Sequence, residues 1–538
     1  MKKGKRVAEA ILDQLASWGV KRIYGFAGDA ILEFIDAINN HPQIEYISTR
    51  HEAAAAFMAS AESKLTGRIG VCTATCGPGL ANLLNGLADA YLDKAPVLAI
   101  TGQVDTKHIG TNYKQYIDEQ VLIQPIAKYS TLLIDGQATS DIVYKALQIS
   151  LSQGAVTHIA VPKDVFAQAA PYQTRARDVI FPAYSNPQEE GINRGIEILA
   201  KAKKPILLVG RGAKDKGHLV EELADLLGAA ITYSLPAKGV VSSDHQYLVG
   251  GLGHGGTHGT SELLKQTDCL ITIGSTWWPE KFVPQQVPII QVDGVIENIG
   301  IQGQITLGIQ GCITKTLELW LAGLKSKKIN ENWVKTIKAT RKKWLEELAK
   351  RINSDNNPIS PERLIHSVEK FIQKDAIITL DVGDHVLWFN KAFRGQNQEI
   401  LISGSWRSMG FGLPAALSAK LEYPNRQVVA LLGDGGLTMS MGELIVAKER
   451  GIAVKVIVFN NKSLAMEKNK MIVSGLSQIG TNILNPDFTQ VALACGWESY
   501  KVKDVRDLDN SIKKAIESNR PTLVDVEVDA PIPPHTSM

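Results

Sequence analysis

The sequence predicts an α/β protein built from three doubly wound parallel-sheet domains. Short apolar segments of strand length alternate with longer helical patterns along almost the whole chain, which is the signature of parallel β–α–β units. At about 150 residues per domain, the 538 residues would hold three or four domains. Two polar or charged segments interrupt the alternation, and they divide the chain into three blocks at residues 1–168, 190–325 and 357–532.

The composition is that of a globular protein and excludes several functional classes. Lys and Arg number 58 against 55 Asp and Glu, a formal net charge of +3, so attraction of the whole chain to nucleic acid is not expected. No apolar stretch approaches the roughly 20 residues of a membrane span. The five cysteines are scattered without metal-site spacing, which predicts reduced thiols in a cytoplasmic protein. They are Cys72, Cys76, Cys269, Cys312 and Cys495.

The first block opens with a basic segment that we interpret as an amphipathic helix and not as a signal peptide. Glu9 and Asp13 interrupt the apolar core that a signal peptide needs. Apolar residues recur at helical spacing around them, at Ala8, Ile11, Leu12 and Leu15. The predicted strands of this block are RIYGF, IEYIST, IGVCTAT, PVLAIT and HIAVPKDV. A polar stretch with prolines, residues 169–190, predicts the first linker.

The central block again reads as strand after strand, with PILLVGRG, AAITYSL, CLITIGS and PIIQVDG. A highly charged segment follows and makes the second linker. Its charges at i, i+4 spacing and its two tryptophans, Trp333 and Trp344, predict a helix that packs on the surface of the protein.

The third block carries the most informative motif. The strand QVVALL ends at Gly433-Asp434-Gly435-Gly436, a helix is predicted from about Thr438 to Arg450, and the next strand ends at Asn460-Asn461. In a parallel sheet with one right-handed crossover, both strand ends face the same crevice. A carboxylate and an amide oxygen suit Mg²⁺, and the glycines let backbone amides approach a phosphate. Gly-Asp-Gly alone is more often an ordinary turn, but the pair in this order is far rarer by chance.

The segment GDGGLTMSMGELIVAKERGIAVKVIVFNN resembles the diphosphate-binding motif of thiamine diphosphate enzymes, most closely the group that contains pyruvate oxidases and acetolactate synthases. Five further stretches agree: VKRIYGFAGDAI, STRHEAAAAFMA, TCGPGLANLLNGLADAYLDKAPVLAITGQ, DVGDHVLW and SMGFGLPAAL. The resemblance covers almost the whole chain. It implies a pyrimidine-binding domain at 1–168, a central domain like those that bind FAD or nucleotides at 190–325, and a diphosphate- and magnesium-binding domain at 357–532.

The resemblance implies the metal ligands. Asp434, the side chain of Asn461 and the backbone carbonyl of Ser463 would bind Mg²⁺ together with two diphosphate oxygens and a water. The residues implied to bind the cofactor beside them are Gly433, Gly435 and Gly436.

Glu52 has two interpretations that can hold together. Read locally, Thr49 to Glu52 is a T-x-x-E capping box at the start of a helix. The resemblance implies instead that Glu52 contacts the aminopyrimidine ring and gives a proton to its nitrogen. It further places Gly28 and Gln115 with Glu52 at the reacting centre.

Other implied cofactor contacts are Gly77, Asn82 and Met409, the last as the apolar prop under the bent cofactor. A methionine here can also simply fill a gap in a core. The sequence departs from the family pattern at two places. Lys114-Gln115-Tyr116 stands where relatives often read Phe-Gln-Glu, and Met466 and Lys470 stand where family oxidases often have Phe and Glu. These departures leave the acyl or electron acceptor open.

The central block bears on FAD. Gly251 to Gly256 satisfies G-x-G-x-x-G, but no clear strand precedes it and no acidic residue follows about 20 positions later, so a dinucleotide fingerprint is not predicted. The stretch resembles the glycine-rich loop along FAD in pyruvate oxidases, as LPAKG (235–239) resembles another flavin-facing loop. The residues implied to face FAD are Gly210, Gly251, Gly253, Gly274 and Asp293.

The resemblance implies thiamine diphosphate- and Mg²⁺-dependent decarboxylation of a 2-oxo acid, pyruvate above all, with oxidation of the enamine through FAD. One alternative is carboligation of two 2-oxo acids, as in acetolactate synthase. Another is a non-catalytic binding protein on the same fold. The family shares each cofactor between two chains, which implies a homodimer at least and a tetramer commonly. Three prolines in the last stretch argue against a membrane-binding C-terminal helix.

Overall fold

The structure is a computed structural model that describes residues 5–170, 174–177, 185–253, 255–276, 278, 283 and 286–533. It contains three six-stranded sheets, each parallel throughout, with helices on both sides. The predicted α/β class with three doubly wound domains is therefore confirmed. His254, Trp277 and residues 534–538, which belong to segments discussed above, lie outside the described residues.

The first sheet has the strand order β3-β2-β4-β5-β7-β6. Its strands are β2 (Arg22–Gly25), β3 (Glu45–Ser48), β4 (Gly70–Ala74), β5 (Val97–Gln103), β6 (Tyr129–Leu132) and β7 (Val156–Pro162). The helices around it are α1 (Val7–Ser17), α2 (Leu32–Asn39), α3 (Glu52–Thr66), α4 (Pro78–Leu92), α5 (Glu119–Ile123) and α6 (Thr139–Gln153). A short antiparallel pair of β1 (Lys5–Arg6) and β8 (Ala169–Ala170) closes this part of the chain. The amphipathic N-terminal helix is confirmed, because α1 buries its apolar residues.

The central sheet has the order β11-β10-β9-β12-β13-β14, which is the 3-2-1-4-5-6 order of dinucleotide-binding folds. Its strands are β9 (Pro205–Val209), β10 (Ala230–Tyr233), β11 (Leu248–Gly251), β12 (Cys269–Ile273), β13 (Ile289–Asp293) and β14 (Leu307–Gln310). Its helices are α7 (Glu189–Lys201), α8 (Gly217–Leu227), α9 (His258–Leu264) and α10 (Ile313–Gly323). One expectation was wrong: a strand does precede the G-x-G-x-x-G stretch, since β11 runs into Gly251 at the sheet edge.

The charged segment after the central sheet forms α11 (Glu331–Ile352), a helix of 22 residues. Trp333 and Trp344 are 2% and 6% exposed. The prediction of a surface-packed helix is confirmed.

The third sheet has the order β16-β15-β17-β18-β20-β19, which repeats the order of the first sheet strand for strand. Its strands are β15 (Ile377–Leu380), β16 (Glu399–Ile402), β17 (Val428–Gly433), β18 (Lys455–Asn460), β19 (Glu498–Val502) and β20 (Thr522–Glu527). Its helices are α12 (Pro361–Phe371), α13 (Asp384–Ala392), α14 (Gly412–Glu422), α15 (Asp434–Ser440), α16 (Leu444–Arg450), α17 (Ala465–Val473), α18 (Phe488–Ala494) and α19 (Val505–Glu517).

The first and third sheets share a hydrophobic core, because α3 packs against α14. Phe57 and Phe411 meet edge to face with ring centroids 5.7 Å apart, and the Ser418 hydroxyl donates to the Met58 carbonyl at 2.9 Å. The two regions are thus packed together within one chain. Within the described residues, no helix combines the length and the apolar character needed to cross a bilayer.

Candidate active site

A cavity lies at the carboxyl end of the third sheet. Strands β15 and β17 are neighbours, but the chain leaves them toward opposite edges of the sheet, which creates the crevice where open α/β sheets bind ligands. The cavity there has a volume of ≈ 190 Å³. Seven of the residues singled out from the sequence line it: Met409, Gly433, Asp434, Gly435, Gly436, Asn461 and Ser463.

Asp434 is the acidic group at the centre of this cavity and is 2% exposed. Its Oδ1 accepts from the backbone N–H of Gly435 at 2.9 Å, and its Oδ2 accepts from that of Lys462 at 2.6 Å. Burial raises the pKa of the Asp434 carboxyl. The hydrogen bonds oppose that rise and fix the orientation of both oxygens.

Asn485 is a residue of this site that sequence reasoning missed. Its side-chain amide donates to Oδ2 of Asp434 at 2.8 Å and to Oδ1 of Asn460 at 3.1 Å. Asn460 in turn donates to Asp525 at 2.9 Å. The Oδ1 of Asn485 is buried and has no hydrogen-bond partner in the described part of the chain.

The loop after β18 holds Asn461 and Ser463. Lys462 between them has φ of +54°, a left-handed conformation that a non-glycine residue adopts only at a cost. Oδ1 of Asn461 accepts from the backbone N–H of Ser463 at 3.1 Å. The loop is therefore a tight turn that directs both residues toward the cavity they line.

Asp381 directly follows β15 and lies between the loop that contains Met409 and the glycines that follow β17. It is fully buried and accepts from the backbone N–H groups of Gly410 at 3.0 Å and Gly412 at 3.0 Å. A Cβ atom on Gly436 would lie 2.7 Å from its Oδ1, so only glycine fits there. Burial raises the pKa of Asp381 to about 6. Its signal in the sequence was its position directly after an apolar strand.

The helix after β17 begins earlier than the sequence predicted. α15 starts at Asp434, and a 3₁₀ turn over Met441–Glu443 separates it from α16. Glycines at positions 435 and 436 disfavour a helix in sequence-based reasoning. Here they form its first turn, whose backbone N–H groups have no carbonyl partner within the helix.

Two polar side chains of α13 add to the cavity wall. Asp384 Oδ2 accepts from the Trp388 indole at 2.6 Å, whereas Asp384 Oδ1 and His385 Nε2 are buried with no hydrogen-bond partner among the described residues. Burial raises the pKa of Asp384 to about 6 and lowers that of His385 to about 4. The imidazole of His385 is therefore neutral at pH 7.

Glu52 does not line this cavity, whose wall is formed by residues from Pro361 to Asp529. It is the first residue of α3, is 8% exposed, and its Oε2 accepts from the side-chain amide of Asn82 at 2.9 Å. The predicted capping box was wrong, because His51 caps the helix through the N–H of Ala53. The Thr49 hydroxyl instead donates to the Gly25 carbonyl.

Gly28, Gly77 and Gln115 come together at the carboxyl end of the first sheet. A Cβ on Gly77 would lie 2.5 Å from the Gln115 carbonyl oxygen, and one on Gly28 would lie 2.5 Å from Cβ of Thr75. Gly77 and Gln115 both have positive φ, +61° and +65°. This group also lies away from the 190 Å³ cavity within the chain.

The glycines assigned to FAD lie in two places. Gly210 and Gly274 end β9 and β12, at the point where the strand order of the central sheet reverses, and a Cβ on Gly210 would be 2.1 Å from the Gly274 carbonyl oxygen. Gly251 instead packs against α13, where a Cβ on this glycine would lie 2.6 Å from the side chain of Asn390. Gly253 follows in the same loop with φ of +91°. Asp293 ends β13 and accepts from the Val295 N–H and the Asn298 amide, both at 2.9 Å.

Met466 and Lys470 stand where family oxidases often have Phe and Glu. Met466 lines the cavity, and Lys470 does not. Lys470 is exposed and pairs with Glu467, which does line it, at 3.1 Å. The positive charge of Lys470 is therefore paired with the negative charge of Glu467.

Comparison with known proteins agrees with this arrangement. Three family models of thiamine pyrophosphate enzymes match the chain: the N-terminal TPP binding domain over residues 5–122, the central domain over 192–319 and the C-terminal TPP binding domain over 381–526.

Individual relatives align along nearly the whole chain. Acetolactate synthase isozyme 1 large subunit of Escherichia coli is 31% identical over 536 residues, covering 97% of this chain and 94% of that protein. Pyruvate oxidase of Lactiplantibacillus plantarum is 28% identical over 537 residues, covering 97% and 89%. A Bacillus subtilis protein whose name describes it as thiamine pyrophosphate-containing is 32% identical over 534 residues, covering 98% and 93%. The chain thus belongs to the thiamine pyrophosphate enzymes, in the group that contains pyruvate oxidases and acetolactate synthases.

Proposed function

We propose that the protein decarboxylates a 2-oxo acid, pyruvate above all, with thiamine diphosphate and Mg²⁺, and passes the electrons to FAD. The observation that carries the proposal is the convergence of Asp434, Asn461, Ser463 and Met409 on one cavity at the reversal point of the third sheet. The cofactor, when bound, supplies the carbon nucleophile that adds to the keto group and accepts the charge left by loss of CO₂.

The residues at this cavity fit a magnesium diphosphate. Asp434, Asn461 and the Ser463 carbonyl offer the oxygen ligands that Mg²⁺ prefers. The N–H groups in the first turn of α15 favour an anion. The buried Nε2 of His385, which has no hydrogen-bond partner among the residues that the structure describes, offers a further polar contact. Met409 lies against the same turn, since its methyl carbon is 3.2 Å from the position of a Cβ on Gly435.

Glu52 would hold and donate the proton at the ring nitrogen of the cofactor, with Asn82 fixing its carboxylate. Gly28 and Gln115 would lie on the side where the substrate binds, and Gly77 would contact the cofactor. Because the wall of the magnesium cavity comes from residues 361–529 and Glu52 lies elsewhere, we infer that the first domain of a second chain completes each site. A homodimer is the minimum assembly, and pairing of dimers would give a tetramer.

The shared site has a direct test in two inactive variants. Glu52→Gln and Asp434→Ala each remove one half of the site. A dimer containing one chain of each has one site with both defects and one with none, so co-expressed, separately tagged chains should regain activity. Mixed dimers that stay inactive, or an active monomer in light scattering, would contradict the shared site.

Support for FAD comes from the central sheet. Its 3-2-1-4-5-6 order places glycines 210 and 274 at the crevice where dinucleotides bind in this fold. An acetolactate synthase activity is the second candidate, favoured by the acetolactate synthase subunit found among the relatives. The assay is incubation with pyruvate, thiamine diphosphate and Mg²⁺ while CO₂, oxygen and acetolactate are measured. The proposal expects oxygen uptake with CO₂ release, and acetolactate formation without oxygen uptake would favour the second candidate.

A further inference from the structure

A continuous chain of hydrogen bonds runs through the interior of the first domain, away from the magnesium cavity. The hydroxyl of Thr101 lies 2.5 Å from Oε2 of Glu119 and 2.8 Å from Nε2 of His158. The Ser130 hydroxyl lies 2.9 Å from Nδ1 of His158. Glu119, Thr101 and His158 are each 0% exposed, and Ser130 is half-buried at the outer end of the chain.

The directions of these bonds follow from the charges. Burial lowers the pKa of His158 to about 3, so the ring is neutral and carries one N–H. With Glu119 ionised, Thr101 donates to the carboxylate, His158 Nε2–H donates to Thr101, and Ser130 donates to Nδ1. Each of these four side chains then has a hydrogen-bond partner.

The inner end of the chain reaches the group of Gly28, Gly77 and Gln115. Oε1 of Glu119 accepts from the backbone N–H of Gly77 at 3.1 Å. Gly77 is in close backbone contact with Gln115, which is only four residues before Glu119 in the chain. The carboxylate therefore joins the turn that begins α4 to the loop that carries Gln115.

The loop of Gln115 is strained, because Gln115 is a non-glycine residue with φ of +65°, and the neighbouring turn has glycine at position 77, where φ is +61°. Such conformations persist where surrounding contacts hold them in place. A charge-assisted hydrogen bond to the Gly77 N–H is stronger than a neutral one. We propose that the ionised Glu119 is a positioning residue that holds Gly77 and Gln115 in the geometry needed to bind the substrate. This inference rests on the proposed function, which places Gln115 beside the 2-oxo acid and Gly77 beside the cofactor.

The contact is expected to respond to pH. Burial raises the pKa of Glu119 to about 7, against the opposing bonds from Thr101 and Gly77. The titratable groups that face it are His158 on β7, with Nε2 at 3.8 Å, and the thiol of Cys76 in the turn before α4. β6 contributes the uncharged Ser130. His158 and Cys76 both stay neutral near pH 7, so Glu119 is the group that titrates there.

Glu119→Gln removes the charge and keeps the shape. In this variant the side-chain amide can donate to Thr101 if every hydrogen bond in the network reverses its direction. Thr101 then donates to Nε2 of His158, and the Nδ1–H of His158 donates to Ser130. The variant should fold, and its KM for pyruvate should rise roughly tenfold because the bond to Gly77 loses its charge assistance. The rise in activity with pH around 7 should also disappear.

A second readout needs no activity. The raised pKa means that the wild type loses stability as pH rises from the unfolded value of about 4.3 through about 7. We therefore compare the melting temperature of Glu119→Gln with that of wild type at two pH values. The variant's melting temperature minus that of wild type should be larger at pH 8 than at pH 5. Glu62→Gln is the matched control, since Glu62 is also buried with a raised pKa but bonds to Tyr24. It should leave KM and the pH profile unchanged.

Thr101→Val tests the same idea if Glu119→Gln does not fold. Loss of the hydrogen bond from Thr101 should shift the rise of activity to higher pH, and Thr101→Ser should shift it back to the wild-type pH. If the wild type is active and Glu119→Gln or Thr101→Val has the same KM and the same pH profile, the positioning role is wrong. A wild type without decarboxylation of pyruvate would instead refute the proposed function, and the melting comparison would still report on the charge of Glu119.

Discussion

The side-chain amide of Asn82 on α4 donates a 2.9 Å hydrogen bond to Oε2 of Glu52, the first residue of α3. Glu52 is nearly buried, whereas Asn82 is exposed. The bond thus orients the carboxylate at the surface of the first domain, outside the magnesium cavity of the same chain. A carboxylate fixed in this way can meet a cofactor that approaches from another chain.

Glu52→Gln should abolish turnover and leave cofactor binding largely intact. The Gln side chain keeps the size of Glu52 but cannot supply the proton, a loss of roughly 10²–10⁴-fold in rate. Turnover of pyruvate and calorimetric titration with thiamine diphosphate measure the two effects separately. Glu222→Gln, at an exposed position of the central domain, is the control. Full activity of Glu52→Gln would show that Glu52 has been misassigned.

Asn485→Ala should weaken the binding of Mg²⁺. It removes the donor that orients Oδ2 of Asp434 and that also bonds Asn460. Loss of such a supporting contact typically costs 10- to 100-fold in metal affinity. The measurement is the Mg²⁺ dependence of the melting temperature with thiamine diphosphate present. Asn482→Ala, an exposed amide of the same segment, should behave as wild type, and equal Mg²⁺ curves for the two variants would contradict the role of Asn485.

Gly436→Ala should destabilise the protein by about 1–3 kcal/mol, as overpacking does. Its Cβ would lie 2.7 Å from Oδ1 of the fully buried Asp381, which has no room to move. Urea unfolding measures the loss. Gly442→Ala is the matched control, since its Cβ would make an ordinary contact of 3.5 Å with Arg50. Equal stability of the two variants would mean that the close approach at Gly436 is not required.

Lys238 should make stability depend on pH above neutrality. It is 2% exposed between the central and third domains, where Nζ donates to the Tyr233 hydroxyl at 2.6 Å and to the Asn390 carbonyl at 2.8 Å. Burial lowers its pKa to about 7. Between pH 7 and the unfolded value of about 10.4, the unfolded chain binds more protons, so this group's contribution to stability rises with pH.

Lys238→Met should flatten that rise. The check is the slope of melting temperature against pH from 7.5 to 9.5, compared with wild type and with the exposed control Lys201→Met. A slope in Lys238→Met equal to that of wild type would show that Lys238 does not titrate in this range.

The sequence predicted the central strands of the three six-stranded sheets and two of their edge strands, and it missed the other four edge strands. β6, β11, β14 and β19 went unrecognised, and all four are edge strands. Three of them, β6, β14 and β19, are only partly buried, because one side of an edge strand has no neighbour. Apolar runs identify strands that are covered on both faces, and these three lack such runs.

The same limit applies to the candidate site. The Gly-Asp-Gly-Gly and Asn-Asn segments at two strand ends pointed to Asp434 and Asn461 without further help, whereas Asp381, which also follows a strand, was not singled out. Asn485 and Glu119 could not be found in this way, because each acts through partners that only the folded chain brings near. The capping box at Thr49 was wrong because α3 begins at Glu52, so that His51 and not Thr49 is the cap of its first turn. The positions of the domain boundaries and the roles of the site residues remain predictions.

The most direct test of the proposed function is the absorbance spectrum of the purified protein with thiamine diphosphate and Mg²⁺, recorded without oxygen before and after pyruvate is added. We predict a flavin spectrum that bleaches on addition of pyruvate and returns when air is admitted. A flavin that stays oxidised while acetolactate accumulates, or a protein that turns over pyruvate with no flavin bound, would contradict the account.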